Sequence, residues 1–377
     1  MAFLMQIDML YYITEDIIEA AENRNSKVIE ILEYIAMAHR HGKHIVISNR
    51  KILQRLVEVK DYENRKTSQI YKSILDKYAT YGNIVHKIAL KVVFVLDREP
   101  YVKKNVTGRY EEIGYPIENV TVNNLLNETA LLGENINEVA FYHLMGEFYK
   151  KRLAIQIHTP YIPLHGGGDT TKNVLMIEAM SKTRFCLAFL DSDKICPNGS
   201  LGSTLKGVID SRKKKECFYT SDYIYSEKYR EVENMIPIDV LRYVCENNAD
   251  WIKGVQDIEC IQKESEDIYY YDVKLGISEE KYCNIKKENQ KEYITKHIIL
   301  ARNVTKEDLR NIVNPSKEKK MLFGTGGDVL ERVLIYYSEN FTQWLESAAL
   351  PPRLEDEWMR IGREVINWTC APSPIRV

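Results

Sequence analysis

A chain of 377 residues, 45% of them apolar, is long enough for two domains, or for one elaborated domain, with an ordinary core. A formal charge of -2 gives no global electrostatic case for nucleic acid, and no apolar run approaches the roughly 20 residues that a membrane helix needs. The cysteines are odd in number, seven, without a CxxC pair, and the N-terminus has no signal-peptide pattern; both point away from a disulfide or zinc framework and toward a reducing, cytoplasmic setting.

Residues 15–41 carry apolar positions at helical spacing, and Gly42 predicts where that helix ends. "HIVIS" (44–48) predicts a short buried strand, residues 50–80 further helix, and "KIALKVVFVLD" (87–97) a second apolar strand. Polar sequence rich in Gly, Asn and Tyr predicts connecting segments as far as about residue 120. Beyond that point the alternation is stricter. A strand at 129–133 precedes a helix at 136–151, and a strand at 155–164 runs into "HGGGDTT". A helix at 171–181 precedes "RFCLAFLDSDK", an apolar run ending in acids. Strand–helix–strand–helix–strand predicts an α/β fold, an open and mainly parallel sheet flanked by helices. The expected organisation is a mixed, helix-rich domain over 1–120, the sheet domain with insertions over 121–340, and a helical tail over 341–377.

In an open parallel sheet, ligands bind beyond the carboxyl ends of the strands. Three successive strands here end in Glu134, in Gly166-Gly167-Gly168-Asp169, and in Asp191-Ser192-Asp193. Asp191 and Asp193 flank one residue, so in extended chain their carboxylates point the same way. Glu138 lies one helical turn beyond Glu134. Carboxylates gathered on one edge cannot all ionise cheaply, and a hard cation such as Mg²⁺ or Mn²⁺ relieves the repulsion. A single acid at a strand end is commonly a solvated loop residue, and a lone DxD is unspecific. The ordered succession of glutamate, glycine turn and acid pair favours a metal site.

These residues also carry a family resemblance. "LLGENINEVAFYHLM", "IPLHGGGDTT" and "LAFLDSD" together resemble the TOPRIM domain of topoisomerases, primases and OLD-type nucleases. The resemblance implies that Glu134 is the catalytic glutamate, Glu138 the later acid, and Asp191 and Asp193 the acid pair, with Asn135 where the family has glycine. "SEKYREVENMIPIDVL", beginning at 226, resembles a block of OLD-like and DUF4435-type phage-defence proteins, which implies Glu233 and Glu231 as further acids. "MLFGTGGDVLERVLIYY" (321–337) resembles their late block, but Gly326-Gly327-Asp328 lacks the family lysine; Lys194, Lys319 and Lys320 are candidates to replace it.

The resemblance implies a Mg²⁺- or Mn²⁺-dependent nuclease acting on DNA or RNA, with Glu134, Asp191 and Asp193 catalytic and Glu134, Glu138, Asp191, Asp193 and Glu233 around the metal. Substrate contacts are expected from His165, Gly167 and Gly168 at the glycine turn, from Lys194, and from Lys213 and Lys214 in the cationic stretch "SRKKKE" (211–216). No ATPase motif is present, so a switch would come from a separate protein partner, an ATPase or sensor; a homo-oligomer is compatible with this reading. The alternative is a non-catalytic TOPRIM-fold sensor or binding module in a defence complex. Other features take plainer readings. His39, His41 and His44 read as helix-end and surface residues, and "DIYYYDV" (267–273) as a strand with packing tyrosines. The first 120 residues read as a regulatory or partner-binding domain, with a fainter PIN-like layout built on Asp8, Glu58 and Asp97.

Overall fold

The computed structural model describes residues 10–85, 90–213, 219–265 and 268–375. Asp8 and Lys214 therefore lie outside the described residues, as does part of the cationic stretch. The chain forms two compact units, each assembled from separate segments. The first comprises Met1–Ala188, Ser211–Tyr223 and Trp358–Val377, and the second Phe189–Asp210 and Ile224–Glu357. These units interleave along the chain. Among the described residues no helix is long and apolar enough to cross a membrane.

The first unit opens with a five-stranded sheet of β1 (Leu10–Tyr12), β2 (Val46–Ile47), β3 (Lys91–Val95), β4 (Tyr101–Lys104) and β5 (Tyr110–Pro116), in the order β2-β1-β3-β5-β4. Every pairing is parallel except that of β4 with β5. β3 reads Lys-Val-Val-Phe-Val and is buried along nearly its whole length, as a central parallel strand covered on both faces must be. The helix expected over 15–41 is two helices, Glu15–Glu22 and Ser26–Arg40. Arg24 between them adopts φ +61°, and Asn25 starts the second helix by accepting the Val28 N–H at 3.2 Å. The segment expected to be connecting sequence holds β4 and β5. Gly114 in β5 permits this pairing, because a Cβ there would lie 2.1 Å from the Tyr101 ring.

The second sheet comprises β6 (Ala130–Gly133), β7 (Ile162–His165), β8 (Cys186–Leu190) and β9 (Ser221–Tyr225), in the order β7-β6-β8-β9. β6 is parallel to both neighbours, with Ala130 opposite Ile162 and Cys186. Helices Ile136–Arg152 and Thr171–Ser181 make the crossovers, as the alternation predicts. β7 is shorter than the expected 155–164, because residues 155–161 pair with no neighbouring strand beyond an isolated bridge of His158 to Ala371. Phe141 and Phe148 on the first crossover helix meet Trp358 edge-on, at ring separations of 5.5 and 5.4 Å. Gly362 lets the C-terminal helix approach closely, since a Cβ there would lie 2.2 Å from the Met145 carbonyl oxygen. Burying these three rings supplies several kcal/mol at about 25 cal/mol per Å².

The second unit is mainly helical, with a short antiparallel pair of β10 (Gly276–Ser278) and β11 (Lys320–Phe323). Helices Ala249–Glu264 and Glu288–Arg302 are pinned to β11 by one carboxylate. Asp257 takes both Arg302 guanidinium nitrogens at 2.6 Å and also the Phe323 N–H at 2.8 Å. Residues expected as a strand at 267–273 contain instead a 3-10 turn, Ile268–Tyr270.

Candidate metal centre

In the first unit, Glu134 follows the fully buried β6 and is half-buried. Asn135 is the N-cap of the helix that follows. Its Oδ1 accepts the Glu138 N–H at 3.0 Å and its Nδ2 donates to Glu138 Oε1 at 2.6 Å. Glu138 Oε2 in turn accepts the Glu134 N–H at 2.9 Å. Asn135 therefore has a local role as a cap, and Glu138 serves the same cap with both oxygens while 4% exposed. The glycine turn is fastened to this strand end. Gly166 donates to the Gly133 carbonyl at 2.8 Å and Gly167 to the Glu134 carbonyl at 2.9 Å. Gly167 and Gly168 have φ of +72° and +62°, which suits glycine, while His165 beside them is exposed.

In the second unit, Asp191 and Asp193 meet the segment 229–234. Asp191 Oδ1 accepts the Val232 N–H at 3.1 Å, and the Asp193 N–H donates to the Arg230 carbonyl at 3.0 Å. Between them the Ser192 hydroxyl donates to the Tyr229 carbonyl at 2.7 Å. Asp193 has φ +53°, so the acid pair is not the plain extended segment that the spacing suggests. Its carboxylate lies against Gly202, where a Cβ would come within 2.1 Å of Oδ2. Burial raises the Asp193 pKa and Glu231 raises it further, against Arg230 and Lys274.

Glu231 and Glu233 join the same neighbourhood. On a helix, residues two apart face different ways, but Glu231 is extended (φ -136°, ψ 165°) and precedes a 3-10 turn, Val232–Met235. Both carboxylates therefore reach one ammonium, Lys274, at 3.4 Å from Glu231 and 3.3 Å from Glu233. Glu231 also takes Arg230 Nε at 2.6 Å. Burial raises the Glu233 pKa, opposed by Lys274 and reinforced by Glu231. Burial works against the charge of Lys274, yet Glu233, Glu231 and Asp191 together raise its pKa. Lys274 is, with Arg230, a cation among these acids, and it was not singled out by sequence. It follows the tyrosine run by three residues and carries no motif. Of the sequence candidates Lys194, Lys319 and Lys320, Lys319 pairs with Glu279 and Lys320 donates to the Leu275 carbonyl at 3.2 Å.

The donor atoms are of the kind that a hard divalent cation takes. All the donors are oxygens; Oε2 of Glu233 is buried without a hydrogen-bond partner, while Oε2 of Glu231 faces Lys274 at 3.4 Å. Among the described residues no group of three or more His, Cys, Asp or Glu side chains is placed so as to hold a metal ion.

The basic and histidine residues divide between local roles and the surface. Arg212, first of the cationic stretch, turns inward; it pairs with Asp222, hydrogen-bonds the Tyr110 hydroxyl and lies 5.2 Å over the Tyr110 and Tyr223 rings. Lys213 ends the helix Ser203–Lys213 and is exposed. The Lys194 N–H donates to the Ser192 hydroxyl at 3.4 Å. His39 and His44 are packing residues: His39 Nδ1 accepts the Val46 N–H at 3.0 Å, and His44 stacks on Tyr11 at 4.4 Å. No family model, curated protein or solved structure matches the chain.

Proposed function

We propose that the chain is a metal-dependent nuclease of the TOPRIM type that hydrolyses phosphodiester bonds of nucleic acid. The observation that carries the reading is the buried Glu233 carboxylate, with one oxygen unpartnered, in the acid neighbourhood built on Asp191, Asp193 and Glu231. Asp191, Asp193 and Glu233 would hold Mg²⁺ or Mn²⁺. Such an ion supplies Lewis-acid stabilisation of phosphoryl oxygens and lowers the pKa of bound water.

The chain's own residues supply the remainder. The Val232 N–H fixes Asp191 in place, and the close packing of Asp193 on Gly202 fixes the second acid. Glu134 is the metal ligand or general base that the TOPRIM resemblance implies. Lys274 offsets the acid charge and offers a donor to a phosphate oxygen. The backbone of Gly167 and Gly168, with His165, Lys194 and Lys213, is the proposed path of the nucleic-acid backbone. The role extends to a phage-defence effector that a separate ATPase or sensor activates; support for that part is the resemblance of the 226–241 and 321–337 segments.

Lys274 also favours a second reading, a non-catalytic binding module. An internal ammonium beside Glu231 and Glu233, with Arg230 also on Glu231, offsets the charge of both carboxylates without any metal. Incubating purified protein with plasmid, single-stranded DNA and tRNA, with Mg²⁺ or Mn²⁺ and then with EDTA, separates the two. Cleavage that EDTA abolishes supports the nuclease; intact substrate under every condition supports the module.

A further inference from the structure

Beside the acid cluster, the second unit holds a cavity of about 530 Å³, within the size range of small-ligand sites. Its wall includes Tyr229, Tyr269, Gln262, Ser265 and Arg353. Tyr229 and Tyr269 meet edge-to-face at 4.7 Å, and the Arg353 guanidinium lies 4.2 Å from the centre of the Tyr269 ring. Tyr229 is 1% exposed, and its hydroxyl has no hydrogen-bond partner. A buried phenol left unpaired is unfavourable unless something supplies an acceptor or donor. Burial, with Tyr269 adding to it, raises the Tyr229 pKa, so the group stays a neutral O–H donor. The exposed Lys296 donates to the Ser265 hydroxyl at 3.0 Å and so brings an ammonium to the rim.

An aromatic pair, a stacked guanidinium, an amide end and an unsatisfied hydroxyl suit a planar heterocycle with hydrogen-bonding edges; the rim cation suits an attached phosphate. The wall is tied to the acid-bearing strand end through the backbone. The Arg230 N–H donates to the Tyr269 carbonyl at 2.8 Å, and the Tyr229 carbonyl accepts the Ser192 hydroxyl at 2.7 Å.

We propose that this cavity binds one nucleotide, its base seated against the Tyr229–Tyr269 pair and its phosphate reached by Lys296. The choice of a nucleotide over other planar heterocycles rests on the nuclease reading. The nucleotide is either a free mononucleotide or one residue of a single strand, and the ligands of the test distinguish these.

The test is isothermal titration calorimetry on the full chain in EDTA, where no metal-dependent cleavage occurs. The ligands are the four nucleoside monophosphates, ribose 5-phosphate and an eight-nucleotide single strand. A monophosphate should bind at least tenfold more tightly than ribose 5-phosphate, because base stacking on an aromatic ring carries about that factor or more. Binding of the single strand alone supports the polymer as source, provided that it has the same sensitivity to substitution. Tyr269→Ala should weaken binding about tenfold or more, and Tyr269→Phe should retain it. Because Tyr229 packs on Tyr269, the exposed position Gln262 gives a second probe, and Gln262→Trp should obstruct the cavity with the fold intact by thermal melting. Equal binding of ribose 5-phosphate, no binding of either nucleotide form, or unchanged affinity in folded Tyr269→Ala and Gln262→Trp proteins would overturn the proposal. Failure of the nuclease reading looks different: this binding persists while metal-dependent cleavage is absent.

Discussion

Replacing Lys274 by methionine keeps the length of the side chain and removes its charge. In the parent, the ammonium lies 3.4 Å from Glu231 and 3.3 Å from Glu233, residues that are 7% and 3% exposed. Glu231 keeps Arg230 at 2.6 Å, so Glu233 is the carboxylate left without its cation, and removing one partner from a buried ion pair costs about 3–5 kcal/mol. The Lys274 side chain is 29% exposed, so water reaches the vacated position in part, and the lower end of that range, about 3 kcal/mol, applies. For a unit of this size such a loss lowers the melting temperature by roughly 6–12 °C. Adding Glu233→Gln to Lys274→Met should recover part of the loss, with a coupling above about 1 kcal/mol, since the orphaned charge is then gone. A divalent cation should also stabilise Lys274→Met more than it stabilises the parent, by taking over the role of the ammonium. The assay is thermal melting with and without Mg²⁺ for parent, both single variants and the double variant. A Lys274→Met protein that melts with the parent, and responds to Mg²⁺ no differently, would refute the reasoning.

Other perturbations follow from the same geometry. His39 and His44 are buried, and burial lowers their pKa values to about 3 and about 4, with Lys77 and Lys43 acting in the same direction. Both imidazoles protonate near pH 6.5 once unfolded, so below that value the unfolded chain binds more protons and stability falls with pH. At pH 5 each site accounts for a loss of about 2 kcal/mol, and His44→Phe should remove its share of the acid sensitivity in urea melts at pH 5 and 7.5. Gly362→Val should cost about 3 kcal/mol in a denaturant titration, because the Met145 backbone, not a movable side chain, occupies the space. Lys213→Ala should weaken nucleic-acid binding modestly, with a shallower salt dependence in a titration between 50 and 200 mM salt, on the order of one phosphate contact.

Legibility followed the strength of local signals. The alternation from β6 to β8 was readable because β6 and β8 are short buried apolar runs bounded by polar punctuation, with a helix-length segment on either side of β7. β4 and β5 were not readable. β5 reads Tyr-Glu-Glu-Ile-Gly-Tyr-Pro, whose glycine and proline mimic a loop; the glycine is there to admit the Tyr101 ring. The acids Asp191, Asp193, Glu231 and Glu233 were legible as residues, because they stand in recognisable blocks. Lys274 was not, since its role comes entirely from tertiary placement beside two glutamates about 40 positions earlier in the chain. The interleaving of the two units was equally hidden, because the four crossings fall inside regular elements, β8, β9 and the helices Ser203–Lys213 and Pro352–Thr369, where no loop signal marks them.

The central claim, that the acids serve metal-dependent phosphodiester hydrolysis, is tested most directly by a cleavage assay on parent, Glu134→Ala and Asp191→Asn. Asparagine at 191 retains an acceptor for the Val232 N–H, so the fold is preserved while the charge is lost. The account predicts Mg²⁺- or Mn²⁺-dependent cleavage by the parent that EDTA abolishes, and loss of at least a hundredfold in both variants at unchanged melting temperature. Full activity in well-folded Glu134→Ala and Asp191→Asn proteins would contradict it.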